Sequence, residues 1–378
     1  MAVARDSAAP SATGFRKIYA FNWGLALLIS AVAAIGILML VSVAGGNFDP
    51  WARQQTIRFG LGFLAMVVIA FVPIRFWLFM ALPIYLACIG LLVLVELIGV
   101  TGMGAQRWID LGFIRLQPSE LTKIGLVMVL AAYYHAIPKS KVSNPLYLIP
   151  PLVLIALPMG MVFIQPDLGT ALLLGIGGTV VMFIAGVSWW YWGSAIALTV
   201  GAGVAVLRSR GTEWQLLKDY QFRRIETFLD PANDPLGAGY HITQSQIALG
   251  SGGWAGRGYM QGTQSQLNFL PEKHTDFIFT TFAEEFGVLG GLVLLTFYTL
   301  ILVFCTISAL SNRNRFASLL TLGIGSAFFF YFAVNMGMVM GLLPVVGVPL
   351  PLVSYGGSAM FVLMGAFGLV QSAHIHRE

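Results

Sequence analysis

Asp276 stands in the run LPEKHTDFIFTTFAEEFG, where about seventy polar, glycine-rich residues meet a long apolar stretch. An ionisable group at such a boundary is costly to keep and is a functional candidate for that reason. A carboxylate there could accept a proton from a hydroxyl held beside it. Its bland role is helix capping: Thr275 suits an N-cap, so the spacing predicts a helix that Asp276 begins. Glu284 and Glu285 follow about 80° and about 180° round that helix and about 12 Å further along it. A single carboxylate thus faces the boundary, without a second on the same helix at the spacing of glycoside hydrolysis. Lys273, His274 and Thr275 crowd polar groups next to it.

Glu120 and Lys123 are three residues apart, on one helix face and about 4.5 Å apart along the axis. Opposite charges in the first turns of an apolar span point into the protein and pair. The pair is either a lock between helices or a held cation that meets an anionic head group. Three segments, Gln117-Pro118-Ser119-Glu120, Gln165-Pro166-Asp167 and Leu270-Pro271-Glu272, place proline near a helix start with an acid shortly after. Proline loses no hydrogen bond there, and the acid meets the positive end of the helix dipole. Asp167 and Glu272 read first as capping acids. The glycines from Gly250 to Gly262 lack a Walker lysine and a βα context, so they predict a compact loop rather than a nucleotide site. The run from Pro349 to Ser358 reads as broken helix, tolerated at membrane depth only where protein or water covers the backbone.

The elements that must position these residues are membrane spans. Of 378 residues, 57% are hydrophobic and 10% charged, with a mean hydropathy of +0.81. Soluble domains carry roughly 25% charged residues. Apolar stretches of about 20 residues recur, each long enough to cross a hydrocarbon core. The fold class is therefore an all-α polytopic membrane protein. The pattern excludes a β-barrel, and the basic residues are too scattered for a nucleic-acid surface. Cys88 and Cys305 both fall in apolar segments, which argues against a disulfide framework.

Ten spans are predicted, at about 21–44, 55–73, 76–100, 119–137, 144–164, 168–186, 188–207, 277–308, 316–341 and 351–373. The organisation is a tail over 1–20, helices one to seven over 21–207, a large loop over 208–276, helices eight to ten over 277–373, and a tail over 374–378. With both tails cytoplasmic, the inner segments hold Arg5, Arg16, Lys17, Arg75, Lys139, Lys141, Arg313, Arg315 and Arg377. The short outer loops hold only Arg53, Arg58, Arg107 and Arg115, and this bias favours that orientation. The large loop is then extracytoplasmic, and its length implies a folded functional element.

The runs GAQRWIDLG, RLQPSELTK, QPDLGTA, FRRIETFLDPANDPLGAGYHITQSQIALGSGG, GTQSQLNFLPEKHTDFIF and GLLPVVGVPLPLVSYGGS together resemble the SEDS family (shape, elongation, division and sporulation). GTQSQLNFLPEKHTDFIF is more similar to the elongation branch than to the division branch. The resemblance spans nearly the whole chain. It implies ten spans and a peptidoglycan glycosyltransferase that polymerises lipid II at the outer face of the bacterial cytoplasmic membrane. It also implies a class B penicillin-binding protein transpeptidase as partner. Carried over by motif, the essential aspartate falls on Asp276, the paired acid and lysine on Glu120 and Lys123, and the preceding arginines on Arg107 and Arg115.

The chemistry fits this reading. Diphosphate is a good leaving group that needs cationic stabilisation more than a general acid. One base, Asp276, suffices to take the proton of the incoming 4-hydroxyl, and a single displacement inverts the anomeric carbon. Candidates for the diphosphate are Lys123, Arg107 and Arg115, with Arg223, Arg224, Arg257 and Lys273 behind them. A divalent cation such as Mg or Mn could share that role, although no multi-carboxylate site dedicated to one is visible. Two alternatives stay open at this point. A lipid II flippase would need the cavity but no base, and a non-catalytic scaffold for cell-wall enzymes would tolerate replacement of Asp276 and Lys123.

Overall fold

The structure, a computed structural model, describes residues 16–102, 105–110, 112, 115–165, 167–212, 214, 215, 222, 226, 230, 238–267, 269 and 273–377. Its helices are α1 (Arg16–Ala20), α2 (Trp23–Val43), α3 (Trp51–Phe71), α4 (Ile74–Ile98), α5 (Pro118–Ala136), α6 (Pro145–Ile164), α7 (Leu168–Ile184), α8 (Trp189–Ser209), α9 (Ala238–Gly252), α10 (Thr263–Gln266), α11 (Ile278–Leu310), α12 (Arg315–Val339) and α13 (Gly357–Ile375). Eight of them are long and apolar enough to cross a membrane. Of the other two helices in predicted spans, α7 has 17 residues, and α5 carries the charges of Glu120 and Lys123.

Helix starts follow the local chemistry. Asn22, Asn144, Asp167 and Asn314 each accept a hydrogen bond from a backbone N–H of the first turn. Pro118 and Pro145 occupy first helical positions. Large apolar side chains line both the packed interior and the outward surface. Leu27, Leu61, Phe79, Leu152 and Trp190 are exposed, as expected of faces that meet lipid.

Side-chain bonds gather the helix ends into two groups. At one end Asn22 pairs with Gln371, Ser372 donates to Val72 O, and Arg315 donates to Ile137 O and Ala185 O. At the other end Ser42 donates to Glu285, Gln117 donates to Asp167, and Gln55 donates to Ser354 O. Asp276 and the Glu120–Lys123 pair belong to the second end.

The structure differs from the sequence reading in three places. First, the chain is not all helix. Strands β1 (Val100–Gly102), β2 (Ala105–Asp110) and β3 (Arg115–Leu116) form a small antiparallel sheet between α4 and α5. Such short strands carry too little alternation to stand out from a loop. Second, Asp276 does not begin the helix. Residues 273–277 form a turn, and α11 starts at Ile278 after Phe277, without a side-chain cap. Third, the last span starts later, at Gly357, because residues 342–356 are non-helical.

That non-helical segment is buried in its second half, with Val348, Leu350, Leu352, Val353 and Ser354 in the interior. It runs so close to its neighbours that a Cβ on Gly36 would lie 2.6 Å from Val353 Cα, and one on Gly169 2.3 Å from Val346 O. A second irregular stretch, 253–262, wraps a break in α11. The break is Gly287, at φ 64°, a left-handed conformation that a side chain would strain.

Candidate active site

Asp276 is half-buried in the turn before α11. Its main chain is pinned by Asn335 of α12, whose Nδ2 donates to Asp276 O at 2.8 Å and to Val348 O at 2.7 Å. Thr275 O accepts from Ser354 Oγ at 2.7 Å, and His274 O accepts from Tyr355 N at 2.9 Å. The turn is thus stitched to the 342–356 segment on both sides of the carboxylate. The carboxylate borders the same segment, because a Cβ on Gly347 would lie 3.5 Å from Asp276 Oδ2.

Pro349, Leu350, Pro351, Leu352 and Ser354 of that segment line a cavity of about 50 Å³, whose polar floor is Glu120, Lys123 and Tyr331. Glu120 and Lys123 are 7% and 6% exposed, so their charges must be compensated from within. Lys123 Nζ donates to Glu120 Oε1 at 2.7 Å and to the Tyr331 hydroxyl, while that hydroxyl donates to Glu120 Oε2 at 2.6 Å. Both carboxylate oxygens are therefore satisfied. An ammonium has three N–H groups, so one is left for a ligand in the cavity. The sequence reading missed Tyr331 because it lies in the uniformly apolar run FFFYF, where nothing marks a polar contact. A second, mainly apolar cavity of about 290 Å³ lies among α3, α4, α5 and α13, and shares Ile124, Val362 and Ala366 with the first.

The other basic candidates are dispersed. Arg107, on β2, pairs with Asp167 at 3.7 Å, and Asp167 caps α7 through Thr170 N at 3.2 Å. Asp167 therefore has the capping role expected of it and also holds Arg107 at the rim. Arg115 is largely exposed and pairs with Asp110 at 3.4 Å on the small sheet. The Asp110 carboxyl is held below its usual range by the backbone N–H of Gly112 and by Arg115. Arg257 is exposed in the glycine-rich loop, donating to Thr263 Oγ1 at 2.8 Å. Lys273 is half-buried, donates to Ser265 O at 2.7 Å, and has its ammonium pKa lowered by burial. Arg223, Arg224 and Glu272 lie outside the described residues.

Glu284 and Glu285 serve the loop. Glu284 Oε1 accepts from Thr263 Oγ1 and Gln264 N, both at 3.1 Å, and Glu285 accepts from Ser42. Among the described residues no group of three or more His, Cys, Asp or Glu side chains gathers to hold a metal ion. A divalent cation would therefore depend on substrate oxygens for most of its ligands.

The arrangement offers a carboxylate at the rim, a compensated ammonium in a cavity and apolar volume beside it. This combination suits group transfer on an amphiphile that carries an anionic group. Comparison with known proteins agrees with it. The profile of the FtsW/RodA/SpoVE family, described as cell cycle protein, matches residues 18–378. The chain is 44% identical over 355 residues to the peptidoglycan glycosyltransferase MrdB of Escherichia coli K12, covering 93% of each protein. It is 38% identical over 335 residues to the protein of that name from Helicobacter pylori 26695, covering 84% of this chain and 82% of the relative. Among solved structures, a chain from a peptidoglycan synthase complex that coordinates polymerization and crosslinking superposes with a TM-score of 0.79 at 33% identity, covering 94% of this chain and 97% of that one. The rod shape determining protein RodA of Thermus thermophilus superposes with a TM-score of 0.70 at 29% identity, covering 94% and 97%. The chain belongs to the FtsW/RodA/SpoVE family of cell cycle proteins.

Proposed function

We propose that the protein is a peptidoglycan glycosyltransferase of the elongation type, which polymerises lipid II at the outer face of the cytoplasmic membrane. Ten helices cross that membrane, with α5 and α7 completing the set through their polar and short spans. The stretch between α8 and α11 then lies outside the cell. The helix ends gathered around Lys17, Arg75, Lys139, Lys141, Arg313 and Arg315 face the cytoplasm, in keeping with the positive-inside bias.

In this reading Asp276 takes the proton from the 4-hydroxyl of the acceptor sugar as its oxygen attacks the anomeric carbon of the lipid-linked donor. The bond to the diphosphate breaks with inversion, and the leaving group departs as the prenyl diphosphate. Lys123 stabilises the charge that gathers on it, and Glu120 with Tyr331 holds the ammonium in place. Arg107, Arg115, Arg223, Arg224, Arg257 and Lys273 form the outer basic set. A class B penicillin-binding protein is the proposed partner, in keeping with the synthase complex to which the fold is similar.

One observation carries the reading: the same 342–356 segment borders the Asp276 carboxylate and lines the cavity holding Lys123. A base and an anion-binding cation that both adjoin one short element are what a transferase needs and a flippase does not. The test is to supply purified protein and partner with fluorescent lipid II in vesicles. Glycan polymer is the expected product. Movement of labelled lipid between leaflets without polymer would replace the reading with the flippase.

A further inference from the structure

The mechanism above leaves unused a row of aromatic and basic side chains beside Asp276. Trp51, the first residue of α3, lies flat against His274, with ring centroids 4.7 Å apart and planes 16° apart. His274 meets Tyr355 at 5.9 Å, and the Arg58 guanidinium lies 4.7 Å over the Tyr355 ring. Gln54 ties the far end together, accepting from Arg58 Nη2 at 3.2 Å and from the Tyr355 hydroxyl. The row joins three segments of chain: α3, the turn carrying Asp276, and the end of the 342–356 segment. Their backbones are locked by Tyr355 N donating to His274 O at 2.9 Å and by Gln55 Nε2 donating to Ser354 O at 3.0 Å.

Two features go beyond what pinning α3 requires. Arg58 Nη1 is buried and has no hydrogen-bond partner. A buried donor left unmet costs free energy unless a ligand meets it, and a guanidinium is suited to phosphate oxygens. His274 also stands two residues before Asp276 in the same turn, and Trp51 and Tyr355, packed on either side of its ring, are half-exposed.

We propose that Trp51, His274, Tyr355 and Arg58 form the subsite for the acceptor. The rings pack against the pyranose faces of its saccharide, and Arg58 pairs with an oxygen of its diphosphate. This assignment rests on the glycosyltransferase reading, but it concerns binding and is tested apart from turnover.

The test is binding of fluorescent lipid II by full-length Asp276→Asn protein, which removes the proposed base, alone and combined with Arg58→Gln, Trp51→Ala or Trp51→Phe. Arg58→Gln and Trp51→Ala are expected to weaken binding about tenfold, as loss of a charge-assisted or aromatic contact would. Trp51→Phe is expected to hold within about twofold. In the parent sequence Arg58→Gln should raise the half-saturating lipid II concentration. Unweakened binding in both truncating variants would overturn the subsite. If both unfold, hydroxyl-radical footprinting of Trp51 in the unmodified protein decides: protection by lipid II supports the proposal and unchanged labelling overturns it. Loss of the Arg58 effect with lipid II lacking its stem peptide would refute the diphosphate assignment. Full polymerisation by Asp276→Asn alone would instead defeat the transferase reading, whatever the binding results.

Discussion

Two irregular segments bond to α11, and they solve the same backbone problem differently. In the glycine-rich loop, main chain bonds main chain. Arg257 N and Gly258 N donate to Glu284 O and Glu285 O at 3.0 Å, and Val288 N and Leu289 N donate to Gly253 O and Trp254 O at 3.0 Å. In the 342–356 segment, side chains supply the bonds. Asn335 donates to Val348 O, Tyr298 donates to Pro351 O at 2.7 Å, Gln55 donates to Ser354 O, and Ser354 Oγ accepts from Leu350 N at 2.7 Å. The loop is held largely by its own backbone, with Arg257 and Tyr259 adding side-chain bonds to Thr263 and Leu38 O. The 342–356 segment depends on particular polar residues borrowed from α3, α11 and α12. The element that organises the site is therefore the more breakable of the two.

Substitutions can test that contrast. The largest effect is expected from Asp276→Asn, which should cut lipid II polymerisation by about 10²–10⁴-fold, the usual contribution of a general base, without changing expression. Lys123→Met should follow. It leaves Glu120 buried without its cation, and should cost about 3–5 kcal/mol in a denaturation assay as well as most activity. Glu120→Gln with Lys123→Met should recover part of that stability but not the activity. Asn335→Ala strips a donor from Val348 O and Asp276 O, and should cost about 1–3 kcal/mol and lower turnover. By contrast Arg257→Ala, in the backbone-bonded loop, should stay within about 0.5 kcal/mol of the parent. Equal losses in these last two variants would erase the distinction between the segments.

The smallest effect is a pH effect at the sheet. Asp110 has its folded pKa below the ordinary carboxylate value, so its contribution is present above that value and fades as pH falls through the lowered one. The protection of the Gly112 amide, its intrinsic exchange rate over the observed rate at each pH, should therefore fall under acid, and Asp110→Asn should weaken that dependence.

Much of this was legible in the sequence. The apolar runs needed little more than length to be found, and each coincides with a helix to within a few residues except at 351–356 and near 55, eight of those helices being long and apolar enough to cross a membrane. The Glu120–Lys123 contact followed from helical spacing alone. Pro349 and Pro351 announced the broken segment. What stayed hidden depends on long-range contact: Asn335 reaching Asp276 O across 59 positions, Tyr331 reaching Glu120 across 211, and Trp51 lying on His274. A polar residue within an apolar run has no local partner to betray its role. The start of α11 was misplaced for a related reason, since residues 273–277 form a turn whose carbonyls accept from Tyr355, Ser354 and Asn335.

The most direct test of the central claim is the pH dependence of single-turnover lipid II polymerisation. If the Asp276 carboxylate takes the proton, the rate should fall about tenfold per pH unit below a single ionisation. That limb should be absent from the residual activity of Asp276→Asn. A variant that keeps the same acid limb, or that turns over at the parent rate, would contradict the assignment of Asp276 as the base.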